Sequence, residues 1–228
     1  MILTDALTAL DASTGKLVWK QQDVGGNESS VVAWRAGEST YWIVNARERI
    51  ACVAPADGAI RWTVPGGGPS TAAVEGDYLA ILTDKEGVGL LAYRIAPEGA
   101  EKLWSIPELT DRGASPIVHE GRVYAIASER AVCVDARSGK LVWEGKPGRG
   151  DICSPILADG KLIASLGGRS LVMMRADGGG FELLGEARLP LAQCSSPALA
   201  GSRLYARLRD GLACYELAAP RAATGPRS

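Results

Sequence analysis

The stretch Ala131–Trp143, AVCVDARSGKLVW, decides the fold: two short apolar runs meet at a Ser-Gly turn, and the second closes on a tryptophan. The same spacing recurs. Ala9-Leu10-Asp11-Ala12-Ser13-Thr14-Gly15-Lys16-Leu17-Val18-Trp19 and Cys52-Val53-Ala54-Pro55-Ala56-Asp57-Gly58-Ala59-Ile60-Arg61-Trp62 match Cys133 to Trp143 residue for residue in length. A degenerate copy runs from Met173 to Leu183, with leucine at the tryptophan position. Trp19, Trp62, Trp104 and Trp143 are separated by 43, 42 and 39 residues, a period that signals one supersecondary unit repeated along the chain.

A second pattern alternates with the first. Ala114-Ser115-Pro116-Ile117-Val118-His119-Glu120-Gly121-Arg122-Val123-Tyr124-Ala125 matches Cys153 to Ala164 and Ser195 to Ala206, with weaker copies starting at Ser70 and Ser30. Each copy reads as a strand, a two-residue turn and a second strand, because Asp-Gly and Glu-Gly accept the positive φ a tight hairpin demands. The two patterns together give four strands per repeat, here A to D; in the best copy they fall near 114–119, 122–128, 131–136 and 140–145. Four antiparallel strands in about 40 residues is one propeller blade. Proline after the serine suits the start of an inner strand, where a ladder donor is dispensable. Trp19, Trp62, Trp104 and Trp143, all on strand D, are expected to wedge between blades, each burying about 150–250 Å². Leu183 predicts a looser junction.

Blades are counted at 27–62, 68–104, 112–143 and 151–185, with a partial blade at each end. Ile2–Asp11 aligns on Ile126–Asp135, so the chain opens inside a B strand, and it stops after a C strand at Leu217. The expectation is an all-β propeller over residues 1–217 with an open or incomplete ring, a segment of a larger propeller or an incomplete gene product, whose missing upstream part would carry a leader or more blades. The Pro/Ala/Gly-rich tail 218–228 is expected to be disordered.

Bulk properties exclude some partners. With 25 basic and 26 acidic residues, the net charge of −1 supplies no field that would draw in nucleic acid or an anionic membrane. No run approaches the roughly 18 apolar residues of a membrane-spanning helix, and Met1–Asp5 is not a basic leader followed by an apolar stretch. The five cysteines contain no CxxC; Cys52, Cys133 and Cys214 share one register and read as small core side chains, too far apart in separate blades to bond.

Reactive constellations are thin. The single histidine, His119, precedes a Glu-Gly turn and has no triad or metal set around it. Gly15-Lys16 and Gly139-Lys140 lack the Ser/Thr of a phosphate loop, and Gly87-Val88-Gly89 opens no helix; all are hairpin turns. No acidic loop has calcium-loop spacing. Neither a catalytic residue nor a metal ligand nor a cofactor-binding residue is assigned.

The pattern of alanine-leucine-aspartate, a Thr-Gly or Ser-Gly turn, lysine, two aliphatics and tryptophan resembles the PQQ-like propeller repeat over about residues 2–217. That family includes quinoprotein alcohol dehydrogenases and the non-enzymatic assembly factor BamB. Its enzymes use an adjacent cysteine pair, a tryptophan platform and calcium ligands. This chain has no Cys-Cys, although Trp34 and Trp42 lie off the repeat position and stay open as platform candidates. The resemblance therefore implies a non-catalytic binding module without cofactor, for another protein or a polysaccharide. A periplasmic or cell-envelope setting goes with it, the cytoplasm being the alternative. The other reading is a fragment of a quinone-dependent dehydrogenase. Three residues before the strand A serines the side chain varies, Asn27, Gly67, Arg112, Asp151 and Gln193, while its neighbours barely change. Positions freed from the packing rule face a funnel mouth or solvent, so Asn27, Arg112, Asp151 and Gln193 are the candidate binding residues, with ordinary loop variation as the other reading.

Overall fold

A computed structural model describes residues 1–26, 28–150, 152–177 and 179–217. Asn27, Asp151 and the tail 218–228 lie outside the described residues. Six antiparallel sheets follow one another along the chain. Sheet one holds β1 (Ile2–Leu3), β2 (Leu7–Leu10) and β3 (Leu17–Gln21). Sheet two holds β4 (Val31–Ala36), β5 (Ser39–Asn45), β6 (Arg49–Val53) and β7 (Ile60–Pro65). Sheet three is β8 (Ala73–Glu75), β9 (Tyr78–Leu82), β10 (Leu90–Ala96) and β11 (Gly99–Ile106). Sheet four is β12 (Ile117–His119), β13 (Arg122–Ala127), β14 (Arg130–Asp135) and β15 (Leu141–Gly145). Sheet five is β16 (Ile156–Ala158), β17 (Lys161–Leu166), β18 (Ser170–Arg175) and β19 (Leu183–Arg188), and sheet six is β20 (Ala198–Ala200), β21 (Arg203–Arg207) and β22 (Leu212–Glu216). The four middle sheets run in strand order A-B-C-D. Among the described residues sheet one has no strand A and sheet six no strand D, as the repeat predicts. The architecture is an open all-β propeller.

The A–B hairpins reverse over two residues. At Glu120-Gly121 and Asp159-Gly160 both central residues have positive φ, 49° and 70°, then 48° and 65°, which matches the right-handed twist of the flanking strands. In sheets three and four, strands B and C are largely buried on both faces, so they read as continuous apolar runs rather than as alternation. In β14, Val132 and Val134 face sheet three while Ala131 and Cys133 face sheet five. The protein thus has a series of seam cores instead of one central core, each shared by two neighbouring sheets.

Two devices lock the seams. The D-strand tryptophans donate their indole N–H to the sheet that follows: Trp19 to the Pro55 carbonyl at 2.9 Å, Trp62 to Ala96, Trp104 to Ala136 and Trp143 to Asp177, each at 2.8 Å. Every acceptor stands at the end of a C strand. In two of these joints the glycine of the C–D turn is the floor on which the indole lies. A Cβ on Gly58 would stand 2.6 Å from Trp19 Cε3, and one on Gly139 2.6 Å from Trp104 Cγ. The second device is a hydroxyl relay along the inner strands. Ser30 N donates to Thr71 Oγ1 (2.9 Å), Thr71 N to Ser115 Oγ (3.0 Å), Ser115 N to Ser154 Oγ (2.9 Å) and Ser154 N to Ser196 Oγ (3.1 Å). This relay explains why a hydroxyl residue opens each A strand.

Three expectations are corrected. In sheet five the residue opposite Met173, the place of tryptophan opposite Cys133, is Gly185; Leu183 pairs with Met174 instead. The C–D connection there is two residues longer, so counting back from the tryptophan position slips by two. The open junction survives the correction, because a Cβ at Gly185 would meet nothing and Leu183 is 43% exposed. Phe181, reaching back to Trp143 with ring centroids 5.8 Å apart, fills the preceding seam. The relay places Ser30 level with Ser115, so that copy starts at Ser29. Finally, Cys52 and Cys133 are fully buried, but Cys214 is exposed, because among the described residues no D strand stands beside β22.

Candidate interaction face

One end of the propeller carries the B–C turns and the D–A loops. There a recess of about 1170 Å³ opens across sheets three, four and five. Arg112 and Gln193, two of the residues singled out by their departure from the repeat, both line it, and both are exposed. Gly67, the varied residue before the third blade, does not share that character: it is buried, and a Cβ there would meet the Arg47 carbonyl at 2.5 Å.

Local chemistry fixes each loop. Asp111 Oδ1 accepts from the backbone N–H groups of Gly113 (2.9 Å) and Ala114 (2.7 Å), folding the loop that carries Arg112. Gln193 sits in a turn closed by Ser195 Oγ donating to the Ala192 carbonyl at 2.8 Å, and its Cγ lies over Gly168. Gly150 N donates to the Ser128 carbonyl, tying the D–A loop after β15 to the B–C turn of its own sheet. These loops are held by their own hydrogen bonds, so the rim is largely preformed.

The lining is polar and of mixed charge. Arg130 at the start of β14 grips Glu144 of β15 with two bonds, Nε to Oε1 at 2.8 Å and Nη2 to Oε2 at 2.9 Å. The bonds from Arg130 hold the Glu144 carboxyl below its ordinary value, and those to Glu144 raise the guanidinium. Glu186 accepts from Ser170 Oγ. Lys146, Arg149 and Arg169 also line the recess, and no ion pair among the described residues involves them. Sequence reasoning missed these three cations. The signal for two of them was Lys146-Pro147-Gly148-Arg149-Gly150, a basic turn-former run outside both repeat patterns.

Other candidates resolve structurally. His119 Nδ1 meets Glu75 Oε1 at 3.1 Å, joining inner strands β12 and β8, and it does not line the recess. Trp34 gives its N–H to the Gly76 carbonyl at 2.8 Å and stacks obliquely on Tyr41 in the seam between sheets two and three. Trp42 packs in the seam between sheets one and two. Burial raises the Cys52 thiol to about 12 and the Cys133 thiol to about 11. Both are packing residues rather than nucleophiles.

The sequence model of the family described as outer membrane protein assembly factor BamB matches residues 3–178 and again 88–225. The chain belongs to this BamB family of PQQ-like propellers. Among solved structures it resembles BamB from Moraxella catarrhalis, with a TM-score of 0.69 and 15% identity over 93% of this chain and 70% of that one. It also resembles the Cps50 (Swd1) propeller domain of Myceliophteria thermophila, with a TM-score of 0.68 and 14% identity over 92% of this chain and 76% of that one. The computationally designed Ika8 protein gives 0.63 and 9% identity over 92% of this chain and 65% of that one. At these identities the likeness is one of fold. No curated protein sequence matches. Among the described residues, no helix is long and apolar enough to cross a membrane.

Proposed function

We propose that this BamB-family propeller is a non-catalytic module that holds another protein against the loop face spanning sheets three to five, in the cell envelope. The observation that carries the reading is the recess itself. Its rim is built from loops that the repeat leaves free to vary, Arg112 and Gln193 among them, while the repeat residues are spent on the seams. No aromatic ring lines it, whereas sugars are commonly held by stacking on aromatic faces; this favours a protein over a polysaccharide. The family's description as an assembly factor supports the same choice, and its link to outer membrane proteins supports the compartment.

Site-specific photocrosslinking tests it. A crosslinker at Gln193 or Arg112 is expected to trap one and the same polypeptide in cells, and a crosslinker at Glu98, on a different hairpin, is expected not to. Arg149→Glu with Arg169→Glu removes the adduct while leaving the melting temperature in place. Equal trapping from all three positions, or adducts untouched by the charge reversals, refutes the assignment of this face.

A further inference from the structure

Three cations of the loop face are brought together by loop packing from two places in the chain. The segment Lys146-Pro147-Gly148-Arg149-Gly150 leaves β15 and lies along the B–C turn of sheet five. A Cβ on Gly148 would stand 3.4 Å from Leu166 Cδ1, one on Gly150 3.8 Å from Leu166 Cδ2, and one on Gly167 3.2 Å from the Arg149 carbonyl oxygen. Pro147 is buried and stiffens the segment where it lies. Arg169 closes the turn on its far side: its N–H donates to the Leu166 carbonyl at 3.0 Å, and its carbonyl accepts from Leu189 N at 2.9 Å. Lys146, Arg149 and Arg169 are all exposed. The recess also carries carboxylates, but most of them are taken. Glu144 is gripped by Arg130, with Lys146 acting on it only through space. Glu186 accepts from Ser170, and Asp111 from two backbone N–H groups of its own loop. Asp84 and Glu129, on the B–C connections of sheets three and four, make no ion pair with any of the three cations among the described residues.

We propose that the partner segment seated over this patch is acidic, a polypeptide stretch whose Asp and Glu carboxylates take the guanidinium forks of Arg149 and Arg169 and the ammonium of Lys146. The proposal rests on the loop-face reading above and deepens it by naming the chemistry of the partner. Like charges carried on loops whose backbones are fixed repel one another until an anion is seated between them, so charge complementarity selects the occupant. Two of the three are arginines, whose planar forks match a carboxylate with two parallel bonds. A nucleic acid or an anionic bilayer is the poorer occupant. The chain as a whole carries a net charge of −1, and Asp84 and Glu129 in the same recess would repel a continuous run of phosphates. A polypeptide whose acidic side chains are interspersed with neutral ones can set its carboxylates on the cations and pass those two by.

The test titrates the isotope-labelled full chain with the peptide Gly-Glu-Asp-Gly-Glu-Asp-Gly, its amide counterpart Gly-Gln-Asn-Gly-Gln-Asn-Gly and the basic Gly-Lys-Lys-Gly-Lys-Lys-Gly, following glycine amides by NMR. The acidic peptide is expected to shift Gly148 and Gly167 saturably and to leave Gly37, between β4 and β5, unmoved. Its affinity falls several-fold as the ionic strength rises from about 0.05 to 0.3 M, because exposed charges are screened. The amide peptide binds about tenfold or more weakly, having lost the charge-assisted bonds, and the basic peptide gives no shift. Arg149→Glu with Arg169→Glu abolishes the response, whereas Arg35→Glu with Arg61→Glu, the same change of net charge placed on sheet two, keeps it. Should the first double variant melt early, the amide peptide decides. No saturable shift at millimolar acidic peptide, an equal response to the amide peptide, or equal losses in the two double variants overturns the proposal. A short duplex DNA that binds as tightly as the acidic peptide overturns it too. If these peptides fail while crosslinkers at Gln193 and Arg112 still trap one polypeptide, the face stands and only its acidic partner falls.

Discussion

Gly139→Ala and Gly15→Ala form a matched pair that isolates the tryptophan seat. Both glycines occupy the same turn position with φ of 68° and 69°, so alanine at either site bears the same left-handed strain of roughly 1–2 kcal/mol. At Gly15 that is the whole effect, since the added methyl meets nothing. At Gly139 the methyl would stand 2.6, 2.8 and 3.0 Å from Trp104 Cγ, Cδ2 and Cβ, which are the anchored base of the side chain and not its free end. The indole must lift, and its 2.8 Å hydrogen bond to the Ala136 carbonyl is lost or stretched. That bond contributes about 0.5–1.5 kcal/mol, and lost contact adds a similar amount. Gly139→Ala is therefore expected to cost about 1–3 kcal/mol more than Gly15→Ala, which for a chain of this size lowers the melting temperature by about a further 2–12 °C. Thermal melts followed by far-ultraviolet dichroism and tryptophan fluorescence measure it, with Gly58→Ala expected to track Gly139→Ala. Equal midpoints for Gly15→Ala and Gly139→Ala would refute the idea that the turn glycine is a seat.

Three further outcomes follow from named contacts. The Asn45 amide is fully buried at the end of β5, accepting from Gly67 N at 2.8 Å and donating to the Gly68 and Ser70 carbonyls at 3.2 and 2.8 Å. Asn45→Ala leaves three buried backbone groups unpaired and is expected to cost about 3 kcal/mol or more in denaturant unfolding; a loss under 1 kcal/mol would mean that water replaces the clasp. Of five thiols, exposed Cys194 and Cys214 are expected to react quickly with a disulfide reagent, and buried Cys52, Cys133 and Cys153 only on unfolding. Three fast thiols in the native protein would contradict the packing. Asp11, Asp135 and Glu144 are all held below their ordinary values, by hydrogen bonds from Thr14, Ser138 and Arg130 respectively. Their contribution is present above the unfolded values of about 4 to 4.5 and is lost as pH falls through the lower folded values. Melting temperature should thus drop on acidification below about pH 4.5, less steeply in Asp135→Asn, and an unchanged slope would remove Asp135 from that account.

How much of this was legible in the sequence depends on which part of the repeat is local. Tryptophan spacing and the serine-proline pattern revealed the blades because most blades present the same groups to their neighbours: an indole, a carbonyl that takes its N–H, a hydroxyl. Leu183 was misplaced because a fixed count cannot see two residues inserted into the glycine-rich turn before it; Gly185 shows itself only through cross-strand pairing. Cys214 reads like Cys133 along the chain, yet its burial depends on a strand that would stand beside β22. Arg112 and Gln193 stood out because they broke a rule their neighbours obey. Lys146, Arg149 and Arg169 obey no visible rule, and the recess exists only because loops about one repeat period apart in sequence become adjacent in space.

That division has a functional consequence. The seams are closed by groups whose geometry is exacting: the carbonyl at an indole N–H, the hydroxyl taking the next backbone N–H and, at Gly58 and Gly139, the glycine under the indole. Such contacts leave few choices at those positions and almost none of their surface free. The loop ends are held differently, since Asp111, Ser195 and the Ser128 carbonyl fix the loop backbones and the repeat sets no side chain between them. A rigid ring segment with variable loop side chains fits the recognition role proposed above, because those side chains can change without disturbing the seams.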